Sequence, residues 1–296
     1  MLALDIGGTQ IKAARVSVNG EIEASRKAAT PASLDEFIPL VRGMLEELGP
    51  GDLGVGCKGL IHPETTVVEV LPGTMHYLEG TRLADLVPEG TKVVADNDAR
   101  VAMAGERVWG AARDCNDALM FTLGTGVGGA ILSGGRILRG ATGVAGHLGH
   151  MTVDADGEPC ICGNRGCLET VFSAKAIEAA AYSISHRGVA SRIQGPITCE
   201  QVFALAAEGD AAARGIIDRA TRVLAGAIAG LVLAVDPEVV ILGGQIVQAG
   251  PALLDPLTAE IRSRTRLMLR REIAVVRSAL SDPSGVLGAA ALVLTA

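Results

Sequence analysis

Aromatic side chains make up only 2% of this 296-residue chain: one Trp, two Tyr and four Phe. Its core therefore cannot rest on large rings and must be assembled from Ala, Val, Leu and Ile. A hydrophobic content of 49% supplies these, and with only 20% charged residues the chain is far from the composition of disordered proteins. Positive charge is also in deficit: 26 Lys and Arg stand against 33 Asp and Glu, a formal net charge of −7. A nucleic-acid surface needs a basic face, so no nucleic-acid partner is expected. An anionic nucleotide stays open as a ligand, because backbone N–H groups and Mg²⁺ can carry that charge.

Long apolar runs are missing as well. The longest strongly apolar stretch, "VLAGAIAGLVLAV" (Val223 to Val235), is too short to span a bilayer and follows Arg214, Asp218, Arg219 and Arg222. It reads as a buried helix, and no membrane partner is expected. No basic segment precedes "LALDIGG", so no signal peptide is expected, and the expected location is cytoplasmic. There, the six cysteines read as thiols or metal ligands in preference to disulfides.

What the chain does have is glycine, 38 residues of it, much of it clustered. Such clusters mark tight turns or backbone brought close to a ligand. "LALDIGGTQIKAARVSVNGEIEASR" reads as strand, glycine turn, strand, an Asn19-Gly20 type I′ hairpin turn, strand. "SLDEFIPLVRGMLEELG" reads as a helix with Ser33 as N-cap, Glu36 completing a capping box, and Gly49 as the stop. "LGVGCKGLI" and "KVVADND" read as short strands, with a helix opening just after Asp98. "ALMFTLGTGVGGAILSGGRILRG" repeats the opening layout of strand, Gly/Thr turn, strand, though not its identities. Helices "FSAKAIEAAAYSI", "CEQVFALAAEG" and "AAARGIIDRATRVLAGAIAGLVLAV" follow, then "DPEVVILGGQIVQAG", a strand into a glycine turn. The layout predicts two α/β domains, 1–116 and 117–296, with a ligand in the cleft between them. The last helix, about 285–296, is expected to pack back on the first domain.

"DIGGTQIK" is not a Walker A loop: it lacks the G-K-[ST] ending and leads to a strand. Gly-Gly-Thr and Gly-Thr-Gly turns can present several N–H groups and a hydroxyl to one anion, or they can be ordinary hairpins. Asp5, at the end of the first strand, could hold Mg²⁺ directly or through water. In "ADNDA", Asp98 has the chemistry of a base that accepts a hydroxyl proton and Asn97 that of a neighbour that positions the alcohol. Alternatively, Asp98 merely caps the helix. His150, Cys160, Cys162 and Cys167, in the spacing H-x9-C-x-C-x4-C, make a closed set of one imidazole and three thiolates for a structural Zn²⁺, with no position left for substrate. Cys57, Cys115 and Cys199 read as buried small hydrophobes.

Together, "LALDIGGTQIKAA", "ADNDARVAMAGE", "FTLGTGVGGAIL", "GHLGHM" and "CICGNRGCLE" resemble the ROK family of repressors and sugar kinases. The resemblance runs from residue 3 to "GVLGAA" near the C-terminus. It implies an α/β, actin-like, hexokinase-type two-domain ATPase fold (duplicated ribonuclease H-like domains) with an interdomain cleft. It implies an ATP-dependent kinase acting on a hexose, glucose by default, with transfer to the 6-hydroxyl. By this resemblance Asp98 matches the catalytic base, and Asn97, Glu169 and His150 match sugar contacts. Asp5, Gly7, Gly8 and Thr9, with Lys12 behind them, match the first phosphate loop. Thr122, Gly124, Thr125 and Gly126 match the second, and Gly243 and Gly244 the adenosine-side turn. The family carries a structural zinc at the Cys/His cluster and is commonly dimeric or tetrameric.

The sugar side departs from the commonest pattern. His147 stands where many family kinases have Glu. A His here also occurs in the family, in bacterial N-acetylmannosamine kinases with the form Gly-His-Ile-Gly-His, so His147 either contacts the sugar or covers the zinc site. Cys57-Lys58-Gly59 replaces a frequent Gly-Pro-Gly, and Lys58 is either solvated or reaches toward a substrate anion. Thr74 stands near a frequent Asn, and Gly59 and Thr74 are both candidate sugar-side residues. His62 and His76 read as loop residues. Polyphosphate is an alternative donor that the loops do not distinguish. The alternative of another class is a non-catalytic sugar-binding regulator. A repressor is disfavoured, because Asp5 follows the N-terminus too closely for a helix-turn-helix domain.

Overall fold

The computed structural model describes residues 1–71, 75–280 and 284–296. Its strands are β1 (Leu2–Ile6), β2 (Gln10–Val16), β3 (Ile22–Ala29), β4 (Leu53–Cys57), β5 (Leu60–Ile61), β6 (Val68–Val70), β7 (Val93–Asn97), β8 (Ala118–Leu123), β9 (Val127–Ser133), β10 (Arg136–Ile137), β11 (Val239–Gly243) and β12 (Ala274–Arg277). Its helices are α1 (Leu34–Leu48), α2 (Asp98–Trp109), α3 (Ala174–Ser185), α4 (Cys199–Ala207), α5 (Ala211–Val235), α6 (Pro251–Thr265) and α7 (Ser284–Thr295). Two units emerge. The first comprises Met1–Asn116, Ala130–Gly146 and Ser278–Ala296, and the second Asp117–Gly129 and His147–Arg277. The layout of the sequence suggests one cut at residue 116. Residues 278–296, which hold the last helix, group with the first unit, and so do 130–146, which a cut at 116 leaves in the second.

In the first unit the sheet runs β3-β2-β1-β4-β7. β1, β4 and β7 are parallel, in a register that sets Ile6 beside Cys57 and Cys57 beside Asn97. Alternate residues feed two cores, as strand geometry requires. Leu2, Leu4 and Ile6 pack with Phe37, Val41, Leu45 and Leu48 of α1. Ala3, Ala14 and Val16 face Val101 and Ala104 of α2 and Val286–Leu292 of α7. The second core has small residues where helices press on the sheet. A methyl added at Gly54 would lie 1.7 Å from the Ala289 carbonyl oxygen, so α7 packs where only glycine fits.

Two local expectations change. Asn19 does not take positive φ, so the β2–β3 turn is not type I′. Gly20 N–H bonds Ser17 O, Gly20 alone is left-handed at φ 83°, and Ser17 Oγ accepts from the N–H groups of Asn19 and Glu21. This is a type I turn followed by a left-handed glycine. The Trp109 ring, 3.0 Å from where a Gly20 Cβ would stand, presses on the turn. Ser33 does occupy the N-cap of α1 in extended conformation, but its side chain makes no cap hydrogen bond, so the capping box is absent. Phe37 N–H, bonded to Ser33 O, starts the helix, and Gly49 at φ 79° ends it.

In the second unit β8, β11 and β12 are parallel, with Thr122 beside Gly243. β9 returns along β8, and its residues beyond Gly129 belong to the first unit, where they pair with β10. α5 spans the predicted stretch but is buried on one stripe only (Ile217, Ala220, Leu224, Ile228 and Val232), while Leu233 is exposed. The buried helix expected here is thus an amphipathic one, with one face on the core. α5 ends at Asp236, a left-handed non-glycine cap held by Arg271, and Pro237 prevents its continuation. Among the described residues no helix is long and apolar enough to cross a membrane.

Candidate functional site

Ligands of open α/β sheets bind beyond the carboxyl ends of the strands. In the first unit the matched ends of β1, β4 and β7 deliver Gly7-Gly8-Thr9, Lys58-Gly59 and Asn97-Asp98 to one edge. Gly7 N–H closes the first turn on Gln10 O, 3.1 Å away, and its carbonyl takes the Thr30 hydroxyl at 2.7 Å. The Gly7 N–H is thus already used in closing the turn. Gly8 and Thr9 are exposed.

Asp5 lies opposite Lys12 in the β1–β2 register. Burial, and then the Asp98 carboxylate, push its carboxyl up to about 6, while Lys12 pulls it down. A methyl on Gly285, in the first turn of α7, would come within 2.3 Å of its Oδ2. A carboxylate so placed is costly to ionise alone and suited to a cation.

The cap of α2 is Asn97, not Asp98. Asn97 Oδ1 accepts from Ala99 N–H at 3.0 Å, and its Nδ2 donates to Gly59 O at 3.0 Å. Asp98 is the first helical residue, exposed, with Oδ1 accepting from Ala99 N–H at 2.8 Å. Gly59 is left-handed at φ 89° and backs onto Val70 O, where a side chain could not fit. Cys57, beneath this edge, is fully buried, and burial followed by Asp98 pushes its thiol up to about 12. Cys199 is likewise buried and raised to about 11, while Cys115 is only half-buried, contrary to expectation. Lys58 is half-buried. His62 Nδ1 accepts from the N–H groups of Glu64 and Thr65, a loop role. Thr74 lies outside the described residues.

One buried network went unread in the sequence. Asp96, 2% exposed, receives Arg100 Nε on Oδ1 and Arg139 Nε on Oδ2 at 2.8 Å. An Asp at a strand end with an Arg four residues on, across the β7–α2 junction, was the available signal.

In the second unit β8 and β11 end together. Leu123 leads into Gly124-Thr125-Gly126, and Gly244, at φ 91°, lies so close to Leu123 O that a side chain would clash. Thr122 and Gly243 form the last register pair of β8 and β11, with Thr122 half-buried. Gly124 N–H closes on Gly126 O, and Thr125 is exposed. Glu169 Oε2 accepts from Val127 N–H at 2.8 Å and occupies the space a Gly126 side chain would need. His147 and His150 flank a single 3₁₀ turn, with near-parallel rings whose centroids are 6.3 Å apart.

The donor atoms of His150, Cys160, Cys162 and Cys167 lie within 4.8 Å of one another. His150 Nδ1 is 3.5 Å from Cys160 Sγ, and Cys162 Sγ is 3.6 Å from Cys167 Sγ. A tetrahedral Zn²⁺ with ordinary bond lengths needs N···S near ~3.6 Å and S···S near ~3.8 Å, so the donor set fits that ion. Burial pushes the Cys167 thiol up to about 12, so metal binding there must displace a proton. The ring nitrogen of His150 facing the thiolates is Nδ1, which leaves Nε2 on the other side.

A model of the ROK family matches residues 1–296. The glucokinase of Thermotoga maritima is 32% identical over 306 residues, which cover 99% of this chain and 96% of that protein. The N-acetylmannosamine kinase of Citrobacter koseri is 34% identical, covering 98% and 97%. The crystal structure of a ROK family glucokinase from Streptomyces griseus in complex with glucose and AMPPNP aligns at a TM-score of 0.81 with 30% identity, over 99% of each chain. The fold is thus the actin-like, hexokinase-type two-domain α/β fold. Over its whole length, the chain belongs to the ROK family.

Proposed function

We propose that this protein is an ATP-dependent sugar kinase that transfers the γ-phosphoryl group to a hexose hydroxyl, the 6-hydroxyl of glucose by default. The observation that carries the reading is Asp98: an exposed carboxylate at the junction of β7 and α2, on the same strand edge as the Gly-Gly-Thr turn and Asp5. Phosphoryl transfer depends on positioning and charge, and asks of the protein mainly a correctly placed proton acceptor. Asp98 Oδ2 takes the hydroxyl proton while Oδ1 stays on Ala99 N–H. Asn97 has one amide hydrogen beyond the bond to Gly59 O, and this is the atom that positions the alcohol.

Glu169 meets a sugar hydroxyl through Oε1, because Oε2 holds Val127 N–H. The second glycine loop and the sugar contact are thereby fixed to each other. His150 would hold Zn²⁺ through Nδ1, leaving Nε2–H for the sugar. The zinc supplies no chemistry beyond shaping the pocket wall. Asp5 would hold Mg²⁺, which neutralises phosphate charge when bound. Gly8, Thr9, Thr125, Gly126 and Gly244 are the backbone that receives the phosphates and nucleoside. The two units are read as the kinase's two lobes.

His147 favours a second substrate, N-acetylmannosamine. A neutral imidazole both donates and accepts, and can meet an acyl oxygen that a carboxylate would repel. ADP release with Mg²⁺ and ATP over glucose, mannose, fructose, allose, N-acetylglucosamine and N-acetylmannosamine tests the reading. One sugar well above the Asp98→Asn blank supports it. A flat panel from folded, zinc-loaded protein contradicts it, and sugar-dependent thermal shifts without turnover would indicate a binding protein.

A further inference from the structure

We propose that Arg100 is a positioning residue for the base. It sets the β7–α2 junction that carries Asn97 and Asp98, and locks to that junction the loop spanning 139–145. This rests on the kinase reading above.

Arg100 is 1% exposed, the bulkiest side chain among the fully buried ones. Its Nε donates to Asp96 Oδ1, and its Nη1 donates to Ala145 O at 2.7 Å. Asp96 Oδ1 also accepts from Asn97 N–H at 2.8 Å. Asp96 Oδ2 receives Arg139, and Ala145 N–H returns to Arg139 O. The loop is therefore closed on itself and held at both ends, by Arg139 on Asp96 and by Ala145 on Arg100. Every one of these groups lies in the first unit.

A buried ion pair is a poor device for stability, because desolvating both charges offsets their attraction. What a guanidinium offers here is a rigid planar fork that fixes two acceptors at once. One acceptor is the carboxylate that holds the Asn97 amide, and Asn97 in turn caps the helix through Ala99 N–H. Asp98 is exposed while residues 95–97, 99 and 100 around it are buried, so its direction is dictated by this packed junction. A base displaced by about 1 Å can lose about a hundredfold in rate.

The test compares wild type with Arg100→Lys and Arg139→Gln. Lys keeps the charge but has no planar fork to hold Asp96 and Ala145 together. Arg139 is half-exposed, so its loss leaves the fold intact should Arg100→Lys fail to fold. kcat and both KM values are measured per AMPPNP-binding site, together with backbone amide exchange. The expected result is a kcat lowered about tenfold or more in Arg100→Lys, and less in Arg139→Gln, with the ATP KM unchanged. Faster exchange should be confined to residues 97–99 and 139–145. A merely structural role would lower the melting temperature and the count of binding sites but leave kcat per site intact, and that result overturns the proposal. Wild-type exchange at 97–99 in both variants also overturns it. Because exchange is read without turnover, an inactive wild type would count against the kinase reading while the Arg100 proposal is still decided.

Discussion

Replacing Asp5 by Asn removes one charge from the strand edge without changing the size of the side chain. The folded protein raises this carboxyl from 3.8 to about 6, first by burial and next through Asp98. Between those values the folded chain keeps a proton that the unfolded chain has released. Stability therefore falls as pH rises through that window, and above about 6 the whole cost is present. One pH unit of displacement corresponds to about 1.4 kcal/mol, so ionised Asp5 costs the fold on the order of 3 kcal/mol at pH 7.5. Asn carries no such cost. Urea melts in Mg²⁺-free buffer should show Asp5→Asn more stable than wild type at pH 7.5 by about 2–3 kcal/mol, with the gap closing by pH 4. Added Mg²⁺ should then stabilise wild type and leave Asp5→Asn unmoved, while Asp5→Asn loses turnover. A gap of the same size at every pH from 4 to 7.5 would refute the reasoning, because the cost assigned to ionised Asp5 must vanish once its carboxyl is protonated.

Other substitutions follow from the same geometry. Gly54→Ala places a methyl 1.7 Å from Ala289 O, so α7 must shift and urea melts should show a loss of about 3 kcal/mol or more. Metal analysis should find one zinc per chain, and chelation or Cys160→Ser should lower the melting temperature of the second unit, with zinc restoring only the chelated wild type. Glu169→Gln keeps an acceptor for Val127 N–H and should fold normally with a sugar KM raised about tenfold or more. Glu169→Ala should also lose affinity for ATP, because the loop at Gly126 and Val127 is no longer held.

Legibility in the sequence followed interaction range. The strand–glycine–strand openings, the extent of α5 and the Cys/His cluster are local patterns, and the structure brings the cluster's donor atoms together. Cap and turn details were less secure, because several side chains compete for the same N–H groups. Asn97 and Asp98 both accept from Ala99 N–H, and only the extended backbone at Asn97 makes it the cap. The Asn19-Gly20 turn was decided by Ser17 Oγ and the Trp109 ring, the latter far away in sequence. The long-range polar contacts could not be read at all. Glu106 is buried with its carboxylate on Ala111 N–H, Ser278 Oγ and Leu280 N–H, and so fixes where the chain re-enters the first unit. Arg100 meets Ala145 in the same way, across a turn of chain that no periodicity reveals.

The measurement that bears most directly on the central claim is phosphoryl transfer from γ-labelled ATP to the best sugar of the panel, by wild type and by Asp98→Asn. Asn keeps the size of the side chain and a partner for a hydroxyl but cannot take its proton. The account predicts labelled sugar phosphate from wild type and a rate lower by about a hundredfold or more from Asp98→Asn, with sugar binding retained. Wild-type transfer by Asp98→Asn would contradict the account, because Asp98 would then not be the base.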